Sequence, residues 1–124
     1  MKEIIIREEF FDMTVRCFFG PHTELGGVIE EHYGEEMAEA VEHVDEDYRG
    51  TCIMMPTGEL VLWMQSVPTE AISIGTLAHE ALHITNHVLG EVQGIPFTSD
   101  TEEVYSLMVG RIVEKVLTQL QTSN

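Results

Sequence analysis

The sequence predicts an α+β fold, a small antiparallel or mixed sheet packed against two or three helices, and three observations carry that prediction. The chain has 124 residues, the material of one domain spanning 1–124. Before Pro68, short apolar and partly β-branched stretches alternate with Gly and Pro, the pattern of strands and turns. From Ala71 onward, two long proline-free runs carry apolar residues at spacings of three and four, the pattern of helices.

Lys2–Arg7 and Thr14–Phe19 suit two strands, with a buried helix fragment over Met13–Phe19 as the alternative. Gly20-Pro21 ends the second, and Gly26-Gly27 reads as a loop. The run from Glu35 to Val44 is expected to be an amphipathic helix, with Met37, Ala40, Val41 and Val44 on one face and acid on the other. Thr51–Met55, the turn Pro56-Thr57-Gly58 and Glu59–Gln65 form the clearest hairpin signal. Ala71–Val88 reads as a helix with stopping points at Gly90, Gly94 and Pro96. Ser99 or Asp100 then caps a last helix, roughly 101–120, with Val104, Leu107, Met108, Ile112, Val116 and Leu120 on one stripe.

Composition bounds the function. An apolar fraction of 44% and a charged fraction of 23% are those of a globular protein. The N-terminal stretch Met1–Glu9 lacks the long apolar run of a secretion signal, so a cytoplasmic address is expected. Six Lys and Arg against 22 Asp and Glu give a net charge of −16. Such a chain repels phosphates and anionic lipid, which disfavours direct nucleic-acid or membrane binding. Cations and basic peptides or proteins are the partners it can attract. Cys17 and Cys52 sit in strand-like segments without a CxxC partner and are expected to be buried free thiols. Asp45-Glu46-Asp47 opens like a calcium loop, but Arg49 and Pro56 occupy the fifth and twelfth positions, so the cage fails.

The chemistry-bearing motif is His79-Glu80-Ala81-Leu82-His83, an HExxH pattern inside the Ala71–Val88 run. Residues four apart on a helix stand about 5–6 Å apart at Cβ, so two imidazoles can converge on one zinc ion. Glu80, turned about 100° from His79, borders the pair and is placed to act as general base on a metal-bound water. A catalytic zinc keeps three protein ligands and one open position. Asn86 and Leu89 exclude the metzincin continuation, which leaves a Glu from the following helix. Ser99 and Glu102 have capping-box spacing, which would engage Glu102 and free Glu103; Asp100 with Glu103 is the competing box. Glu103, with the small Ser106 one turn on, is the expected third ligand. His87 is expected to be a wall residue or to hydrogen-bond a ligand, and His22, His32 and His43 to be solvated.

Gly75 to His83, followed by Glu102-Glu103-Val104-Tyr105-Ser106, resembles a minimal gluzincin, a zincin metallopeptidase with HExxH and a downstream Glu. Small phage- or prophage-encoded metallopeptidases are similar in brevity, which would place the protein in a bacterial host's cytoplasm. The resemblance spans about Glu59 to Lys115 and implies a zincin-like fold with HExxH on the central helix. It favours Glu103 as ligand, because Ser or Ala follows the ligand Glu by three residues in that family, although Leu107 stands where an acid is usual. It also implies that Glu59–Gln65 is the edge strand along which an extended peptide aligns; Trp63 is read as a core residue in preference to a substrate-pocket one. An oxyanion donor is sought among Tyr105, Tyr33, His87 and His32. The expected function is therefore zinc-dependent peptide hydrolysis by His79, His83, Glu103 and Glu80. The competing expectation is a non-enzymatic acidic interaction protein, a phage accessory factor or nucleic-acid mimic, on the same scaffold.

Overall fold

Alternating side chains decide how the strands stack. Ile4 and Ile6 on the first strand, and Val15, Cys17 and Phe19 on the second, are buried on one face. Phe18 is buried on the other. The computed structural model describes residues 1–122. In it, β1 (Lys2–Glu8) pairs antiparallel with β2 (Met13–Phe19), and β3 (Gly50–Met54) pairs antiparallel with β4 (Leu60–Met64). The two hairpins join where β2 runs parallel to β4, with Val15 opposite Leu60 and Phe19 opposite Met64. The result is a four-stranded mixed sheet of order β1-β2-β4-β3 in an α+β fold with four helices.

Helices cover both faces. α1 (Leu25–Tyr33) and the short α2 (Glu35–Ala40) lie on one, where Leu25, Ile29, Val41 and Val44 pack on Phe18, Val61 and Trp63. α3 (Ala71–Thr85) and α4 (Glu102–Thr122) lie on the other, burying Leu77, Ala81, Ile84, Met108, Ile112 and Val116 against the second side of the sheet. Trp63 is fully buried, as expected, and its indole N–H donates to the Gly20 carbonyl at 3.0 Å. Both cysteines are free thiols, Cys17 buried and Cys52 half-buried. Among the described residues no helix is long and apolar enough to cross a membrane.

Several local expectations change. Gly26 and Gly27 lie inside α1, where no neighbour contests the missing side chain. The helix expected over 35–44 stops at Ala40, and a turn carries Val41 and Val44 into the core. Leu107 is 58% exposed, and Tyr105 is buried in its stead. β4 is not an edge strand. All five of its residues are buried and it is paired on both sides, so β3 forms that edge of the sheet.

Candidate metal centre

Glu70 and Ser73 cap α3 reciprocally, the Glu70 carboxylate accepting from the Ser73 amide and the Ser73 hydroxyl from the Glu70 amide. The helix then runs unbroken through His79-Glu80-Ala81-Leu82-His83. With Leu77, Ala81 and Ile84 turned to the core, helical rotation leaves Thr76, His79, Glu80, His83 and His87 toward β3. Between α3 and the start of β3 lies a cleft of about 1050 Å³.

The two imidazoles face each other in this cleft. Nε2 of His79 and Nε2 of His83 are 3.2 Å apart, with ring centroids at 4.9 Å and planes at 70°. Ligand atoms of His79, Glu80 and His83 all lie within 4.8 Å of one another, a group that could hold a metal ion. Both histidines are exposed, whereas Glu80 is only 5% exposed. Burial pushes the Glu80 carboxyl above its ordinary range, and the neighbouring His83 and His79 pull it partly back.

Gly50 explains how β3 comes so close. A Cβ at this position would stand 3.1 Å from Thr76 Cγ2, 3.1 Å from the Trp63 carbonyl oxygen and 3.4 Å from Glu80 Cγ. Cys52, two residues along β3, lines the same cleft. Its thiol is pushed up to about 12 by burial and by the Glu80 carboxylate.

Glu103 is not brought to this group. It is exposed in the first turn of α4 and does not line the cleft. The reason lies in the approach to α4. After Thr85 the chain enters a π-helical segment, Asn86–Val92, and then a loop whose Ile95 carbonyl accepts from the Tyr105 hydroxyl at 2.5 Å. A Cβ on Gly90 would stand 3.2 Å from that hydroxyl oxygen. The start of α4 is thereby tied near Gly90, seven residues beyond His83, a displacement of about 10 Å at helical rise. The start of α4 also differs from the expected capping box. α4 begins at Glu102, preceded by Thr101, whose hydroxyl accepts from the Thr98 amide, so neither Ser99 nor Asp100 adjoins the helix.

The other candidates disperse. Tyr105 is buried on the far side of α3, against Phe97 and Ile95. Tyr33 accepts from Arg16 Nε at 3.1 Å, among residues packed on the opposite face of the sheet. His32 is held by the Val28 carbonyl and Glu3 instead of standing free, and His22 binds the Val44 carbonyl beside Trp63. His43 is exposed, as expected. Only His87 lines the cleft, with Nδ1 2.8 Å from Glu91 Oε2. Tyr48 and Arg49 line it too, and no motif marks them; the glycine beside them was the available signal for a close helix–strand approach. Compared with known proteins, the chain matches no family model, no curated protein and no solved structure.

Proposed function

We propose that the chain is a zinc-dependent metallohydrolase, a small zincin-like peptidase in which His79 and His83 hold the metal. The observation that carries this reading is the 3.2 Å separation of the two Nε2 atoms. A tetrahedral zinc with nitrogens at about 2.0–2.1 Å requires them about 3.3 Å apart. The donor set suits a borderline cation, since two imidazoles compose it and the Glu80 carboxylate stands beside them. Zinc supplies a Lewis acid and brings the pKa of water in its shell to about 7.

Glu80 does the proton work. As the water oxygen bonds to the scissile carbonyl carbon, its proton passes to a Glu80 carboxylate oxygen. The same proton then goes to the amide nitrogen as the C–N bond breaks. Burial of Glu80 beside Gly50 favours a carboxylate that accepts and keeps a proton. The exposed edge of β3 gives a peptide a strand to lie along, in place of β4.

The test is metal analysis and hydrolysis of unstructured peptides, side by side. Wild-type protein is expected to carry one zinc, His79→Ala to lose zinc and turnover, and Glu80→Gln to keep zinc without turnover. Full hydrolysis by Glu80→Gln, or zinc retained by His79→Ala, defeats the reading.

One observation favours the non-enzymatic alternative. The ten carboxylates from Glu24 to Asp47 are all exposed and hang on the α1–α2 layer and the turn after it. Salt-sensitive capture of a basic protein by His79→Ala as well as wild type would support an acidic interaction protein.

A further inference from the structure

Beside the metal cleft lies a second depression of about 550 Å³, at the end of the sheet where the β1–β2 and β3–β4 turns meet. The two share Leu60 and His87 in their walls, so they adjoin, the first lined by β3 beside the histidine pair and the second lying beyond the end of that strand. Five strand residues span about 17 Å, the reach of an extended peptide of that length.

The second depression joins two kinds of wall. Met13, Leu60 and Val88 are buried around it, and Val92 stands 63% exposed at its side. On the rim are two carboxylates. Glu59 is already engaged by Arg16 Nε at 3.1 Å, whereas Asp12 is exposed and no cation stands against its carboxylate among the described residues. An apolar wall below an open carboxylate matches a side chain with an aliphatic stem and a cationic head. A neutral aliphatic chain would leave Asp12 unused, and an acidic one would be repelled by it and by a field of net charge −16.

We propose that this depression is a subsite of the metal cleft that seats a lysine or arginine side chain of a peptide lying along β3. The proposal rests on the peptidase reading for its substrate class. Asp12 pairs with the charged head, and Val88 and Val92 cover the stem. The peptide spans the two adjoining depressions, with the residue in this subsite lying beyond the end of β3 and displaced from the bond over His79 and His83.

Binding tests it without requiring turnover. The probe is a fluorescent octapeptide of alanine with one central lysine, compared with the same peptide carrying norleucine, which keeps the stem and removes the charge. Glu80→Gln protein, saturated with zinc, is titrated by anisotropy at low salt. The lysine peptide is expected to bind about fivefold tighter than the norleucine peptide. Asp12→Asn, which tolerates the positive φ of 50° at this residue, is expected to remove that preference. Val92→Lys, at an exposed position, is expected to weaken the lysine peptide more than the norleucine peptide, whereas Glu36→Gln on the distant α2 leaves the preference intact. Equal affinity for the two peptides, including binding of neither, overturns the subsite. So does a preference that survives Asp12→Asn. Zinc binding and hydrolysis of other peptides, measured separately, would leave the peptidase reading standing in that case.

Discussion

Oε1 of Glu8 lies 2.9 Å from Nη2 of Arg111, and the Glu8 side chain is completely buried at the end of β1 while half of the arginine reaches solvent. Glu8 Oε2 also accepts from the Phe11 amide at 2.8 Å, which holds the β1–β2 turn. The guanidinium stands close to Oε1 without an N–H aligned on it, so the contact is an ion pair more than a hydrogen bond. It fastens α4 to the sheet beside the apolar contacts of Ile112 and Met108. Replacing Arg111 by Met removes the counter-charge and leaves a carboxylate stranded. Breaking a buried pair costs about 3–5 kcal/mol, and the arginine's partial exposure places Arg111→Met near 2–3 kcal/mol. Urea unfolding measures this. A loss under 0.5 kcal/mol would show that the pair contributes nothing.

Metal linkage should be visible as heat stability. At free zinc 100 times above Kd, a ligand bound only to the folded chain adds about 2.7 kcal/mol. For 124 residues that is a rise of about 10 °C in Tm. Differential scanning calorimetry with zinc and then with chelator should show the rise and its reversal, and His79→Ala should show neither. A rise that persists in His79→Ala would place the zinc elsewhere.

The thiols make a pH prediction. Burial raises Cys17 far above the ordinary thiol range, and burial with the Glu80 carboxylate raises Cys52 to about 12 from an ordinary value of 9.0. Folded protein should therefore label slowly with iodoacetamide at pH 8, since the thiolate is the nucleophile. Glu80→Gln removes a negative neighbour of Cys52 and should speed its labelling. The sign for stability follows from proton counts. Above pH 9 the unfolded chain releases protons that the folded chain keeps, so stability falls as pH rises from 9 toward 12. Unfolding that became harder across this interval would contradict the burial.

Gly50→Ala probes the contact between β3 and α3. The added methyl meets the Trp63 carbonyl, which is fixed by the sheet, and Thr76 on the helix. The helix must yield, at a cost of about 1–3 kcal/mol for overpacking. Because Glu80 Cγ stands 3.4 Å from the same point, the proposed hydrolase reading requires kcat to fall more than zinc affinity does. Unchanged kcat in a destabilised Gly50→Ala protein would separate the strand contact from catalysis.

What was legible in the sequence was local. The β3–β4 hairpin follows from Pro56-Thr57-Gly58, and Gly58 indeed has φ of 88°. The start of α3 at Ala71 and the facing of His79 and His83 follow from helical spacing, whereas the expected end at Val88 falls inside the π-helical segment that follows Thr85. Pairings between distant segments were not legible. Nothing near Leu60–Met64 announces β2 as a second neighbour, although an unbroken apolar run is the mark of a strand buried on both faces. The direction of α4 depends on the π-helical segment and on the Tyr105–Ile95 hydrogen bond, which bring residues ten apart together without a motif.

That direction makes the sharpest prediction. If α4 keeps its start near Gly90, Glu103→Gln should leave zinc affinity within twofold of wild type, because its carboxylate stands outside the group formed by His79, Glu80 and His83. Removing a true ligand costs far more, since losing even an outer hydrogen-bonding partner costs about 10–100-fold. Competition titration with a chromogenic chelator resolves the two cases. A hundredfold loss in Glu103→Gln, paired with no loss in Glu102→Gln, would mean that zinc draws the first turn of α4 toward the histidines. It would restore the gluzincin ligand set that sequence spacing favours. An unchanged affinity would leave the two imidazoles as the donors from this chain, with the remaining positions open to water and substrate.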